Sequence, residues 1–447
     1  MPADAPGALA LLEALLCAAR QAGAEAADAL LLDQQALSAR QRLGRLEEVT
    51  RAESTELGLR VFVGRSAAIV STSKREPKGF AALAERAVAM ARAVPDDPFA
   101  GLAAQESAGP FAELDLDDPD EPDAAALALR AAAAEDAARA VAGVTNTEDA
   151  EAGWSRTTTV LATSTGFTGA STRSSSSTSV TALAGTGTGM QRDYEYSVAT
   201  HAADLMAPEE IGRRAGTQAV ARLGARRLAS ARMPVVFAPR VAGTLVGHFA
   251  AAANGAAVAR GTSFLKERMG TAVFAGGIAI HDDPLRRRGL RSRPFDGEGV
   301  ASRALALVVD GRLASWFLDS RSARQLGLAS TGHAARGVSA PPAPAPTNLW
   351  LAAGALAPDA LIADIAEGFY VTELIGMGVN PVTGDYSRGA AGFAIRAGAL
   401  AEPVAGVTIA GNLLDMFALL APGGDLEFRR GTDAPTVRIE AMTVAGA

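Results

Sequence analysis

Cysteine is almost absent: Cys17 is the only one among 447 residues. A single thiol makes neither an internal disulfide nor a multi-cysteine zinc site. Inside an Ala/Leu helical pattern it reads as a buried, inert packing residue. Histidine is scarce too, with His201, His248, His281 and His333 the only four. No two fall within one helical turn, so no helix presents paired imidazoles on one face, and no His-Glu-x-x-His or His-Glu-x-x-x-His occurs. Aromatic residues make up 5% of the chain against 49% hydrophobic residues, so the cores must be built from Ala, Leu and Val.

Other absences exclude partners and compartments. Lysine is limited to Lys74, Lys78 and Lys266, and the net charge is -7 with a pI near 5.4. The one tight basic cluster, Arg286 to Arg288, lies among Asp282, Asp283 and Asp296. A nucleic-acid binder presents a basic face to phosphates, so that class is disfavoured. The N-terminus lacks a basic region before its apolar stretch, and Asp4 has the wrong sign for a signal peptide; an amphipathic helix over Gly7–Ala22, capped near Asp4, is expected instead. Val241–Ala259 carries no formal charge, but it is mostly Ala and Gly with His248 and Asn254 inside it. Such a segment inserts poorly into a bilayer and suits a helix buried between protein layers. A cytoplasmic protein without membrane spans is the expectation.

What is present divides the chain into α+β regions. Residues 1–93 form an N-terminal α+β domain. Its strands are expected at Ala29–Leu32, Ala36–Leu43, Leu57–Val63 and Ser66–Ser71, with a hairpin across Gly64-Arg65 and a closing helix over Gly79–Ala93. Residues 94–123 form a Pro- and acid-rich linker. A middle domain, 124–233, opens with a helix from Ala124 to Val141 capped by Asp123. A Ser/Thr-rich β-meander follows over Thr157–Ser164, Ser174–Leu183 and Asp193–Thr200, then a helix over Pro208–Ser230. The C-terminal domain, 234–447, is mostly antiparallel β with one buried Ala-rich helix, Val241–Ala259. It has strand patterns at Pro234–Phe237, Gly299–Val309, Arg312–Leu318, Gly368–Leu374 and Ala390–Ile395, and a short helix at Pro358–Gly368. Asp310-Gly311 between apolar runs is a strong hairpin signal, and Ala334–Pro346 is a Gly/Pro/Ala loop.

Candidate chemistry is thin. His248, in an apolar segment without acidic neighbours, suits a core or interface histidine better than a ligand. His281-Asp282-Asp283-Pro284 looks ligand-like, yet Asp and Pro also set turn dihedrals, and the turn is the better reading. Ser330-Thr331-Gly332-His333 brings a hydroxyl near a histidine without the tertiary geometry of a triad. Gly185 to Gly189 resembles a phosphate cradle, but a strand follows it instead of a helix, which makes it a hairpin tip. Thr383-Gly384-Asp385-Tyr386-Ser387-Arg388-Gly389 crowds acid, hydroxyl and guanidinium into one Gly-bounded loop. It is either a binding loop or a turn held by an Asp385–Arg388 pair.

Several segments together resemble the TldE (PmbA) branch of the TldD/TldE metallopeptidase family. They are Thr262-Ser263-Phe264-Leu265, Ile280–Pro284, Pro294-Phe295-Asp296-Gly297-Glu298-Gly299, Ser330–Ala334, the run EGFYVTELIGMGVNPVTGDYSRGAAGF from Glu367 to Phe393, and VTIAGNLLDMF from Val407 to Phe417. They occur in order through the C-terminal half; the first two regions match only in general character. The resemblance implies a heterodimer. A TldD-type partner would carry a His-Glu-x-x-x-His helix and a late cysteine holding a divalent metal, zinc. That partner would cleave unfolded peptides in a cavity closed by this chain, with links to peptide-antibiotic maturation and antitoxin turnover.

Here the matching helix is Val241–Ala259. In one register Gly247 and His248 replace the first His and the Glu; in another Gly243 and Thr244 replace them and His248 falls on the second His. Asp425–Val444 contains no cysteine. A catalytic zinc needs about three protein ligands, so neither catalytic nor metal residues, nor any cofactor, are expected in this chain. It would supply wall and interface, with His248, His281, His333, Thr383, Asp385, Ser387 and Arg388 as candidate contacts to peptide or partner, and a homodimer is an option when the chain is alone. Two other readings stay open. One is an independent peptidase using His281 with Asp282 and Asp283, or Asp385 with Arg388. The other is a regulatory binding protein of the DNA-gyrase-modulator type.

Overall fold

The computed structural model describes residues 5–104 and 111–446. The expected cap near Asp4 and the prolyl residue Pro110 of the linker lie outside the described residues. The chain opens with α1 (Ala5–Gln21), then β1 (Ala26–Arg42), β2 (Arg45–Val63), β3 (Ser66–Thr72) and α2 (Phe80–Ala93). After residues 94–123 come α3 (Ala124–Arg139), β4 (Val144–Thr163), β5 (Thr168–Ala184), β6 (Gln191–Ala199) and α4 (Pro208–Ala221).

These strands form one antiparallel six-stranded sheet in the order β3-β2-β1-β4-β5-β6, so residues 26–72 and 144–199 share a single sheet. The strands are far longer than local propensity suggests. Polar Asp33-Gln34-Gln35 interrupts the apolar pattern of β1, yet β1 runs through it because β2 and β4 pair with it on both sides. Likewise the Ser/Thr-rich β5 is held between β4 and β6. Ladder hydrogen bonds override weak side-chain preference here. α1 and α2 lay Leu12, Leu15, Phe80 and Ala87 on one end of the sheet, and α3 and α4 cover the other. Cys17 falls on the far side of α1 from this stripe and is exposed, contrary to the buried thiol expected. The Asp123 carboxylate caps α3 as expected, accepting from Ala126 N. α4 stops at Ala221 rather than Ser230, because the following chain turns through Gly224 and Arg226 bridges to Val404.

The third region begins with β7 (Ala231–Phe237), α5 (Pro239–Ala252) and α6 (Gly255–Ala259). The single helix expected over Val241–Ala259 is therefore two. Asn254 is extended, pairs with Phe317, and turns its side chain to cap α6, accepting from Ala256 N and Ala257 N. Then follow β8 (Ile280–Asp282), β9 (Leu305–Val309), β10 (Arg312–Leu313), α7 (Ser320–Leu326), β11 (Ala334–Ala335), β12 (Ala343–Pro344), β13 (Leu349–Leu351), α8 (Pro358–Ile362), β14 (Glu367–Ile375), β15 (Asp385–Arg396), β16 (Ala399–Asn412), α9 (Leu413–Ala418), β17 (Leu420–Pro422), β18 (Thr432–Asp433) and β19 (Val437–Ala445). Asp310-Gly311 turns β9 into β10 with φ of 48° and 74°, the two left-handed positions a two-residue hairpin demands. The flanking strands are shorter than expected, since residues 299–304 wrap onto the loop at Phe295 and Phe317 is drawn away to Asn254. The short helix expected over Pro358–Gly368 ends at Ile362, because Ile365 turns back onto it and β14 begins at Glu367.

Two sheets organise this region, β10-β9-β8-β13-β18 and β16-β15-β14-β7-β19-β17; β16 also pairs with β19, closing a ring of strands. α5 is buried between them, with Val241, Leu245, Val246 and Phe249 in the largest core. Among the described residues no helix is long and apolar enough to cross a membrane.

A buried ion cluster joins the six-stranded sheet to the third region. Asp28 on β1 accepts from Arg60 on β2 and from Arg336 at 2.5 Å, and all three side chains are at most 8% exposed. Burial raises the Asp28 carboxyl, and the charges of Arg336 and Arg60 more than cancel that, leaving it below the ordinary value. Arg60 also faces Glu298 at 3.9 Å. Burial, and then the charge of Asp296, push Glu298 up to about 7 from 4.5.

Two consequences follow. Asp28→Ala leaves two buried guanidiniums without their carboxylate and lowers unfolding stability by about 3–5 kcal/mol. Asp33→Ala, on the same strand but partly exposed, costs under about 1 kcal/mol; urea denaturation distinguishes them. Because the folded state resists ionising Glu298, its favourable contribution is complete below pH 4.5 and is lost as pH rises through 7. Glu298→Gln removes that dependence. Relative to the variant, the natural chain loses up to about 3 kcal/mol over this window, readable as diverging urea midpoints; parallel pH profiles contradict it.

Candidate functional site

α5 offers one open face. Val241, Ala242, Leu245, Val246 and Phe249 are buried, while Gly243, Thr244, Gly247 and His248 are half-exposed on the opposite side. This face floors a groove walled by Arg240, Arg291, Arg430, Thr432 and the Pro344–Pro346 turn. The helix is packed hard against the last segment of the chain. A Cβ at Gly243 would lie 2.9 Å from the Thr432 carbonyl oxygen, whereas Gly247 faces open space. In either register of the family motif, a metal-binding side chain is replaced by glycine.

His248 follows the groove-lining Gly247 on α5, and its surroundings are cationic. Its ring centroid is 6.0 Å from that of Tyr386, edge to face. His248 Nε2, Tyr386 Oη and Arg388 Nε are buried and have no hydrogen-bond partner among the described residues. Burial, and then the Arg388 charge, lower the His248 pKa below 6.5. Burial pushes the Tyr386 hydroxyl well above the ordinary 10. A divalent cation needs several anionic or lone-pair donors. This site offers one imidazole beside a guanidinium, which repels a metal, so the residues present do not fit the metal that the family implies. No group of three or more His, Cys, Asp or Glu able to hold a metal ion occurs among the described residues.

The expected Thr383–Arg388 loop is partly strand, because Asp385 already begins β15. Alternation then splits its residues: Asp385 and Ser387 are exposed, while Tyr386 is buried and Arg388 half-buried on the other face. Asp385 accepts from Thr383 Oγ1 at 2.6 Å and from Asn412 Nδ2 at 3.3 Å. These bonds lower its pKa. The Asp385–Arg388 pair, considered as turn support or as a peptidase site, therefore does not form. The pattern Asp-Tyr-Ser-Arg held this information, since period-two alternation joins Tyr386 to Arg388.

The other candidate residues serve the core. Asp282, fully buried, accepts from His333 Nε2 at 3.1 Å and from Thr347 N at 2.7 Å, while His333 Nδ1 faces the Thr331 carbonyl at 2.8 Å. His281 points away to stack near Trp350, with ring centroids 5.4 Å apart. Asp283 turns to its own backbone and accepts from Leu285 N, as the turn reading expected. His281, Asp282 and Asp283 thus face three different environments, which removes the basis for a site built on them. Asp296 accepts from the N–H groups of Glu298, Val300 and Ala334, and Glu298 from Ser320 N. The HDDP, PFDGEG and STGHA motifs meet in one buried network. His201 lies elsewhere, between Asp115 and Asp118.

Models of three domains of one family match in sequence: PmbA/TldA metallopeptidase domain 1 over residues 27–91, the central domain over 114–223 and the C-terminal domain over 230–446. The chain is 34% identical over 414 residues to Metalloprotease PmbA of Escherichia coli O157:H7, spanning 92% of this chain and 90% of that protein. Solved structures share the fold. One, from Bacteroides thetaiotaomicron and named as a candidate modulator of DNA gyrase, superposes with a TM-score of 0.89 at 24% identity, over 98% of this chain and 99% of that one. TldE from Thermococcus kodakarensis superposes with a TM-score of 0.85 at 18% identity, over 98% and 100%. The chain belongs to the PmbA/TldD metallopeptidase family.

Proposed function

We propose that this chain is the metal-free subunit of a two-chain peptidase acting on unfolded peptides, with a TldD-type partner supplying the metal. The observation that carries this reading is the open face of α5: Gly243, Thr244 and Gly247 offer no imidazole or carboxylate there, and Arg388 sets a repelling charge beside His248, the one donor on that face. The close approach of the Thr432 carbonyl to Gly243 leaves no room for a side chain there, which favours a wall over a ligand-bearing helix.

Two further features support enclosure. β6 is one of the two edge strands of the six-stranded sheet, and it borders the α5 groove: Arg430 donates to Tyr196 Oη, and Arg240 to Asp193, both on β6. An extended peptide added to that edge by main-chain hydrogen bonds would run alongside the groove whatever its sequence. At the β14–β15 turn, Ile375, Met377 and Val382 are exposed, Met377 by 87%. An apolar tip of this kind suits burial against a partner chain.

The test is co-expression with a His-Glu-x-x-x-His member of the same family and an unstructured peptide as substrate. The pair cleaves and this chain alone does not; cleavage by the lone chain at the rate of the pair overturns the reading. Met377→Asp reduces recovery of the pair by size-exclusion chromatography while circular dichroism stays unchanged.

A further inference from the structure

Between the six-stranded sheet and the PFDGEG loop lies a cavity of about 200 Å³, away from the α5 groove. Its lining is partly apolar, with Leu30, Leu32, Leu161 and Phe295, and partly cationic, with Arg173, Arg293 and Arg336. Three guanidiniums around so small a space are costly unless something neutralises them. Arg336 shares Asp28 with Arg60, and its side chain is 1% exposed. Arg293 donates through Nη1 to the Ala334 carbonyl, and Arg173 to the Gly289 carbonyl. Neither has a carboxylate within ion-pair distance among the described residues. Asp296 also borders the cavity, but its oxygens are taken by three backbone N–H groups, and burial pushes its carboxyl above the ordinary value. Burial, together with the like charges of Arg291 and Arg293, lowers the Arg173 pKa.

The unpaired atoms say what is missing. In both Arg293 and Arg336 the buried nitrogens without partners among the described residues are Nε and Nη2. These two share one edge of a guanidinium and form the fork that takes a carboxylate side-on through two parallel hydrogen bonds. Both arginines spend Nη1 on the protein and leave the two fork nitrogens unpaired among the described residues. We propose that this cavity is a binding site for an organic carboxylate carrying a short aliphatic group, with the carboxylate on Arg293 and Arg336 and the aliphatic group against Leu30, Leu32, Leu161 and Phe295. A fully polar anion such as phosphate would leave those apolar side chains unsatisfied.

Such a carboxylate could be a free short-chain acid or the C-terminus of a peptide. Isothermal titration calorimetry on the full chain separates them, with butyrate, N-acetyl-alanyl-leucine, the corresponding amide and inorganic phosphate as probes. Saturable binding of one carboxylate per chain is expected, with the amide silent and phosphate at least about tenfold weaker. Tighter binding of butyrate assigns a free acid, and tighter binding of the dipeptide assigns a chain terminus. Arg293→Met weakens the carboxylate by more than about tenfold. Thr159→Trp, which fills the cavity and keeps every arginine, abolishes binding; circular dichroism confirms that both variants fold. Absence of saturable carboxylate binding, equal binding of acid and amide, phosphate as tight as the carboxylates, or unchanged affinity in both variants overturns the proposal.

Discussion

The Asp28 carboxylate fixes the geometry of this molecule. It sits on the central strand of the six-stranded sheet and holds Arg60 from the neighbouring strand and Arg336 from the third region. Taking these charges out of water is costly, and only their mutual contacts offset the cost. The sheet and the loops carrying Asp296, Glu298 and His333 can therefore meet in only one arrangement that leaves no carboxylate stranded. The same constraint produces the cavity beside them. Arg336, which lines it, is anchored by one nitrogen, and its other two have no hydrogen-bond partner among the described residues.

The second organising fact is what α5 has become. In a peptidase that holds its own metal, a central helix must expose ligands toward a cleft while burying its opposite side. Here the helix buries one side, and among the described residues its open side joins no group of three or more candidate metal ligands. Glycine at 243 admits the Thr432 backbone, glycine at 247 leaves the floor of the groove smooth, and His248 lies against Tyr386 and Arg388. The motifs that make the family recognisable are, in this chain, mostly packing: Asp282 with His333 and Thr347, and Asp296 with three amides. They specify how the layers pack more than any reaction.

Much of this was legible in the sequence where a local rule decides the outcome. Asp310-Gly311 gave its hairpin, Asp123 its cap, Gly64-Arg65 its turn, and the ordered motifs their family. Legibility failed where tertiary contacts decide. Asp33-Gln34-Gln35 looks like a break but is carried through by partners on both sides. Val241–Ala259 looks like one helix until Asn254 is drawn to Phe317. Cys17 looks buried until the packed stripe of α1 is known. At the site, His248 and Arg388 were visible, but their meeting through Tyr386 requires a strand, β15, and a helix, α5, to be in place. The Arg293–Arg336 cavity left no local trace, because its residues come from every region of the chain.

The most direct test of the central claim is metal content. The chain is purified alone, equilibrated with zinc, dialysed and measured by elemental mass spectrometry. The account predicts a sub-stoichiometric level that His248→Ala does not change. One tightly held zinc per chain, lost in His248→Ala, would contradict it.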